Sequence, residues 1–428
     1  YDHGLIAFNK EVMKWEWMED LIRSQRVQEN VVDLMIRRVG ELPQRTRDVL
    51  KTGACFGPSF DLVPIAKLRG SSVEELLTDV WAAVKPMFIV PLHSTQIHAG
   101  HVIGGGAGTA PRQFQFIHDR VQQAAYSLIG EDEKPALHLS IARHLLKGTD
   151  ERELDDRLFD IVHHFTLGRP LLKDAAERRN VADLTLRAGE KARASAAFPS
   201  ARSFARAALG LMDESSWTSD YPLRFRAGFL AAESAYLCQD FAEMEQLTGD
   251  LTTHARDVLD RARIAEVRIQ SLMARAEPIA AIHHALPILR ELGVKLPANP
   301  GTLDVLIGMA KTEIRLRKFK IEDLLHLPVM TDPAKLAAAR ILEHVYSSAY
   351  FALPNLYPLI MFAFIRMSLR YGNTAASAVG YSAYGVILCG MFRQIERGNR
   401  FGKLSLDLMR QLMANHIKAK IVQVTQGF

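Results

Sequence analysis

The 428-residue chain is 48% hydrophobic and 24% charged, a globular composition with length for more than one domain. Its net charge of +5 is spread over 53 basic and 48 acidic residues, and no basic block marks a nucleic-acid binder. Cys55, Cys238 and Cys389 are far apart in apolar contexts. They read as buried thiols of a reducing compartment, which excludes a disulfide framework and a cysteine zinc site.

No signal peptide opens the chain, and its first residue is Tyr1, so it reads as cut from something longer. Leu5–Phe8 and Lys14–Trp17 alternate apolar and polar around Asn9 and Lys10, which predicts a small hairpin. From Asn30 the period turns helical, with Val31, Leu34, Met35, Val39 and Leu42 on one stripe. Pro43 opens the next helix, whose inner face is Thr46, Val49, Leu50 and Ala54, and Gly57-Pro58 stops it. Phe60–Leu68 and Ser72–Val84 read as two more helices, the second capped by Ser71 or Ser72 with Glu74 and Glu75 in its first turn. Phe88–Val90 is a short strand, followed by a polar, Gly-rich loop and a second strand at Phe114–Phe116. Helices followed by strand, loop and strand are the order of a winged helix.

The Phe114 strand runs straight into a helix beginning near Asp119, carried by Val121, Ala124, Ala125 and Leu128, with Asp119 able to serve its N-terminus. Beyond Glu131 no strand is predicted. Helical stripes recur in pairs over 136–146, 154–165, 175–194, 201–212, 221–237, 241–255, 261–274 and 278–292. Such spacing suggests a solenoid of tetratricopeptide-like (TPR-like) repeats. The turn Leu296–Gly301 is the strongest breaker, either a long connection or a seam in the solenoid, and helices resume from Thr302. The expected fold class is therefore mainly α: a winged-helix domain followed by a TPR-like α-solenoid.

The stretch Phe114-Gln-Phe-Ile-His-Asp-Arg-Val-Gln-Gln-Ala-Ala-Tyr126 resembles the FxFxHDRVQQAAY signature of a large ATPase module. That module, of AAA/STAND type, belongs to bacterial multidomain signalling kinases, which join it and a helical-repeat region to serine/threonine-kinase or sensor histidine-kinase domains. Arg157–His164 resembles the family's RLFDIVNHLN helix, Leu186–Ala192 its NLRAGRKA, Leu327–Pro333 its LPEMTDP and Tyr381–Gly385 its AYAAYG. Asn30–Met35 and Leu50–Phe60 resemble the segment after its nucleotide domain. The matches run from about Leu5 to about Leu408. The resemblance implies four parts: residues 1–29 as the tail of the nucleotide-binding module, 30–130 as the winged-helix domain, 131–295 as TPR-like repeats and 302–428 as continued repeats. Two departures stand out, since no GxxxxGK[ST] precedes residue 30 and no kinase domain follows.

Several residues invite chemical readings. In STAND-type ATPases a His at the position of His118 contacts the nucleotide's phosphate, so the resemblance implies a nucleotide sensor there, with Arg120 a weaker candidate for the same phosphate. The bland reading makes His118 and Asp119 a helix cap. Gly104–Thr109 superficially matches a phosphate loop, but Pro111 and Arg112 follow instead of Lys and a helix, so it reads as a flexible loop. His93, His98 and His101 have no Cys or carboxylate placed to complete a metal site. His163-His164 and His283-His284 are neighbours about 100° apart on a helix and read as surface or partly buried residues. Thr374–Phe392 is uncharged over near-spanning length, yet its Gly and Ser content favours a buried repeat helix over a membrane span.

The whole implies a signal-transmitting region of an ATP-binding bacterial kinase in a cytoplasmic two-component or related system. ATP or ADP with Mg would be held mainly by a domain outside this chain. The implied partners are the nucleotide-binding and kinase domains of the same protein and a protein on the solenoid, with an oligomer as a further option. The alternative is a STAND-type transcriptional regulator with a DNA-binding output domain. Direct DNA binding through Ser72–Val84 is disfavoured by Glu74, Glu75 and Asp79. No catalytic residue and no metal ligand is assigned.

Overall fold

A computed structural model describes residues 6–9, 14–17, 31–92, 111–414 and 418–425. The chain is mainly helical and divides into two compact units, residues 1–184 and 185–428.

In the first unit, β1 (Ile6–Asn9) and β2 (Lys14–Trp17) pair antiparallel, Ile6 opposite Trp17, as the alternation predicts. Helices α1 (Val31–Gly40) and α2 (Gln44–Ala54) follow, the latter with Pro43 at its N-cap. The expected helix over Phe60–Leu68 is corrected: Ser59–Asp61 forms strand β3, and helix α3 starts only at Leu62 and ends at Arg69. Two local causes set that start. Phe60 pairs with Phe114 in the sheet, and the Asp61 carboxylate accepts the Val63 N–H, capping α3 one residue after the strand. Helix α4 (Val73–Val84) carries the full capping box between Ser72 and Glu75, so of the two serines proposed it is Ser72 that caps.

Strands β4 (Ile89–Pro91) and β5 (Gln113–Phe116) complete an antiparallel sheet of order β3-β5-β4. β5 is central, so its inward Phe114 and Phe116 are buried, Phe114 stacked on Phe60 and Phe116 tilted against it. They join Val49, Leu50, Ile65, Val80 and Val121 in one core under α1–α4 and helix α5 (Asp119–Ser127). Two long helices, α6 (Lys134–Gly148) and α7 (Leu154–Gly168), pack on each other, and α6 also packs on α3. Helix α8 (Ala175–Ala194) contains the boundary between the units.

The second unit is helical throughout: α9 (Phe198–Leu209), a short α10 (Ser216–Ser219), α11 (Tyr221–Leu237), α12 (Phe241–His254), α13 (Val258–Ala274), α14 (Pro278–Glu291), α15 (Thr302–Leu316), α16 (Pro333–Ala352), α17 (Leu356–Tyr371), α18 (Ala375–Phe392), α19 (Ile395–Gln411) and α20 (Lys418–Thr425). Helices close in sequence pack on one another: α11 with α12, α13 with α14, α16 with α17, α18 with α19. The turns after α8, α11 and α13 share one backbone. Ala196, Gln239 and Ala276 each take positive φ, and the following N–H reaches back to Ala192, Ala235 or Leu272. This is the Schellman helix ending, here without glycine. The breaker at Leu296–Gly301 is a connection between α14 and α15, and one hydrophobic core runs across it from Ala262 to Ile421. Beyond Glu131 the described residues hold one isolated bridge, Val329 to Asn373.

α18 is the described helix long and apolar enough to cross a membrane, and it is mostly buried in this unit's core, with Tyr381 and Tyr384 fully enclosed. Its hydroxyls are satisfied inside the protein. Ser377 accepts from Ser368 at 2.6 Å, Tyr381 donates to Asn373 at 3.3 Å, and Tyr384 donates to Glu313. Small residues let α19 approach closely: a Cβ on Gly398 would collide with Cys389 Sγ and lie 2.8 Å from the Gly385 carbonyl oxygen. The cysteine reading needs adjustment, because Cys55 is buried but Cys238 and Cys389 are half-exposed; all three are free thiols.

Candidate functional site

A cavity of about 610 Å³ opens in the first unit between the end of α2, β3 and α5 on one side and α6 and α7 on the other. Cys55, Tyr126, His138, Arg157, Asp160 and His164 are among its lining residues. Its floor is a chain of three polar side chains. Tyr126 on α5 reaches His138 Nε2 at 3.0 Å, and His138 Nδ1 lies 2.8 Å from Nδ1 of His164 on α7. Both histidines are buried, on the same helix faces as the core residues Ile141, Ala142 and Leu145 and Leu158, Ile161 and Phe165. Phe56 presents its edge to His164 at 5.8 Å between ring centroids.

Burial holds both imidazoles neutral. The pKa of His138 is lowered to about 4 and that of His164 to about 3, chiefly by desolvation and then by neighbouring histidines. Two neutral imidazoles facing through Nδ1 share one proton, so the chain has a direction. Either Tyr126 donates to His138 and His138 to His164, or both bonds run the other way. Burial pushes the Cys55 thiol up to about 12, which leaves it protonated and inert. The buried imidazoles are too weakly basic, and the thiol too weakly acidic, for proton transfer at neutral pH. The cavity is suited to binding or to structural support. Among the described residues no group of three or more His, Cys, Asp or Glu side chains is placed to hold a metal.

His118 and Arg120 lie elsewhere in this unit, at the junction of β5 and α5. His118 is exposed and is itself the N-cap of α5, so of the two residues offered as a cap it is His118 that serves, with Asp119 the first residue of the helix. Its Nδ1 accepts the Arg120 N–H at 3.1 Å. That bond fixes the tautomer of the neutral ring, since an accepting Nδ1 leaves the proton on Nε2, where it can donate outward. Arg120 is exposed and its Nη1 donates to Gln123 at 3.1 Å, not to Asp119. His93, His98, His101 and Gly104–Thr109 lie outside the described residues. His283 is exposed and His284 half-buried, in line with the bland reading, whereas His164 is fully enclosed and corrects it. His138 is a functional residue the sequence reading missed; its one signal is that it continues the Ile141–Leu145 stripe, the mark of a buried, partnered imidazole.

No family model matches the chain, and no solved structure matches it. A curated protein does. The chain is similar to part of hybrid signal transduction histidine kinase G of Dictyostelium discoideum. The two are 22% identical over an alignment of 470 positions, covering 95% of this chain and 14% of that protein. The chain therefore spans about a seventh of its relative's length.

Proposed function

We propose that this chain is a regulatory, signal-transmitting region of an ATP-binding signal-transduction kinase. The observation that carries the proposal is the alignment of almost the whole chain to one segment of a hybrid signal transduction histidine kinase. It supports a signalling role. The finer reading rests on the signature around His118 and on local geometry. The β3-β5-β4 sheet behind α2–α4, with β5 entering α5 directly, supports a winged-helix domain. The repeated turns at Ala196, Gln239 and Ala276 support TPR-like repeats.

On this reading ATP or ADP with Mg is bound by a nucleotide domain of the AAA/STAND type, and the outward-facing Nε2–H of His118 touches its phosphate, with Arg120 beside it. The winged helix and repeats pass that state to a kinase domain or to a protein bound on the repeats, in the cytoplasm. The chain itself performs no phosphoryl transfer, because its sequence has no GxxxxGK[ST] phosphate cradle and no HRD- or DFG-type catalytic loops. Autophosphorylation of the longer protein, compared with a version lacking this region, tests the role. The proposal expects kinase output that no longer responds to nucleotide or signal when the region is absent. Unchanged regulation would overturn it.

A further inference from the structure

A second cavity, of about 540 Å³, lies in the helical unit between α15, α17 and the turn at Lys295–Pro297. Lys295, Lys311, Arg315 and Arg366 line it, against a single acid, Asp304. Asp304 is already engaged, its Oδ2 accepting the Gly301 N–H at 2.8 Å at the start of α15. Arg366 is half-buried in an otherwise apolar stretch of α17, between Ile365 and Met367. Its partners are neutral: Nη1 donates to Thr312 Oγ1 at 3.2 Å and to the Gly308 carbonyl oxygen at 3.5 Å.

Other arginines of this unit do have a carboxylate partner. Arg226 pairs with Glu190 at 2.9 Å, Arg340 with Glu266 at 3.1 Å, Arg397 with Glu313 at 2.9 Å and Arg400 with Glu322 at 2.8 Å. Among the described residues Arg366 has no carboxylate, and a guanidinium carries five N–H donors of which only Nη1 is used. Burial and then the charge of Arg315 lower its pKa from the ordinary arginine value, the cost of a sheltered cation without a counter-charge. Removing that cost takes an anion, and four cations against one engaged acid call for more than one negative charge. Ile307 and Ile314 flank the cations and are 45% and 61% exposed, which leaves an apolar shelf beside the charge.

We propose that this cavity binds a phosphate-bearing organic ligand, its phosphate on Arg366, Lys311 and Arg315 and its apolar body on Ile307 and Ile314. Phosphate suits the site better than a carboxylate because it carries the higher charge and its oxygens match the guanidinium fork. The ligand is either a soluble phosphate compound or a lipid headgroup, and the test separates them. The 428-residue chain is titrated with inorganic pyrophosphate by calorimetry. It is also sedimented with phosphatidylcholine vesicles with and without phosphatidic acid. Saturable pyrophosphate binding assigns a soluble ligand. Sedimentation only with phosphatidic acid assigns a lipid. In either arm Arg366→Gln should weaken binding about ten- to a hundredfold, the loss of one charge-assisted contact, and Arg366→Lys should recover part of it. Lys311→Gln and Arg315→Gln sit on the exposed face of α15 and leave the core untouched, so they decide the matter if Arg366→Gln fails to fold. No binding in either arm, or binding equal in wild type and all three glutamine variants, overturns the proposal.

Discussion

Acid should loosen the first unit through His138 and His164 before it affects helices without buried imidazoles. In the folded chain the two rings titrate near 4 and 3, whereas in the unfolded chain each returns to about 6.5. Below pH 6.5 the unfolded state therefore binds more protons than the folded state, and stability falls with pH. The contribution is complete above about pH 6.5, is lost as pH falls, and levels off once the folded rings protonate. Between pH 7.5 and 5.5 each ring should cost about 1.4 kcal/mol and the pair about 2.7 kcal/mol. That figure depends only on both folded pKa values lying below 5.5. The assay is hydrogen exchange of α6 and α7 peptides in increasing urea at the two pH values, corrected for intrinsic exchange. Peptides of α18 and α19, which contain no histidine, serve as the reference. His164→Phe keeps a ring against Phe56 and removes one titrating group, so it should lower stability at pH 7.5 yet about halve the loss on acidification. A wild-type chain whose α6 and α7 are equally stable at both pH values, or a variant with the full wild-type loss, would refute this account of the buried pair.

Gln239 holds a left-handed φ of 63°, so Gln239→Gly should raise the stability of the helical unit by about 0.5–1 kcal/mol, read from the urea midpoint. Gly398→Ala should do the opposite, losing about 1–3 kcal/mol as α18 and α19 are forced apart at Cys389 and Gly385. The chain carrying Lys311→Gln, Arg315→Gln and Arg366→Gln together, titrated with Mg-ATP, should give no saturable heat, because none of the three side chains proposed to hold phosphate is left and the sequence has no GxxxxGK[ST] cradle. Tight, magnesium-dependent ATP binding there would mean that a nucleotide site has been overlooked.

Long amphipathic stripes were legible from sequence, because the core takes one face of each helix and so repeats its demand every three to four residues. The span Tyr221–Leu237 emerges with the predicted ends, and the hairpin with its second strand as predicted and its first moved one residue along, to Ile6–Asn9. β3 was not legible: three residues carry too little period, and Phe60 blends into the apolar run of α3. The shared turns at Ala196, Gln239 and Ala276 were hidden because none bears the glycine that usually marks a left-handed helix ending. Pairing His138 with His164 joins residues on two helices and has no local signature, although each helix announced its buried face. Arg366, a lone cation within Leu356–Ser368, was visible as an oddity, but its lack of a carboxylate is a fact of the folded neighbourhood.

The most direct test of the central claim is nucleotide-dependent autophosphorylation of the longer signalling protein carrying His118→Ala. His118 is exposed and contributes one capping bond, so the variant should fold, with a cap loss of at most about 1 kcal/mol. The account predicts kinase output that no longer distinguishes ADP from ATP loading, together with altered ADP retention. Normal discrimination and normal ADP retention in a folded variant would contradict it and leave His118 as the cap of α5 and nothing more.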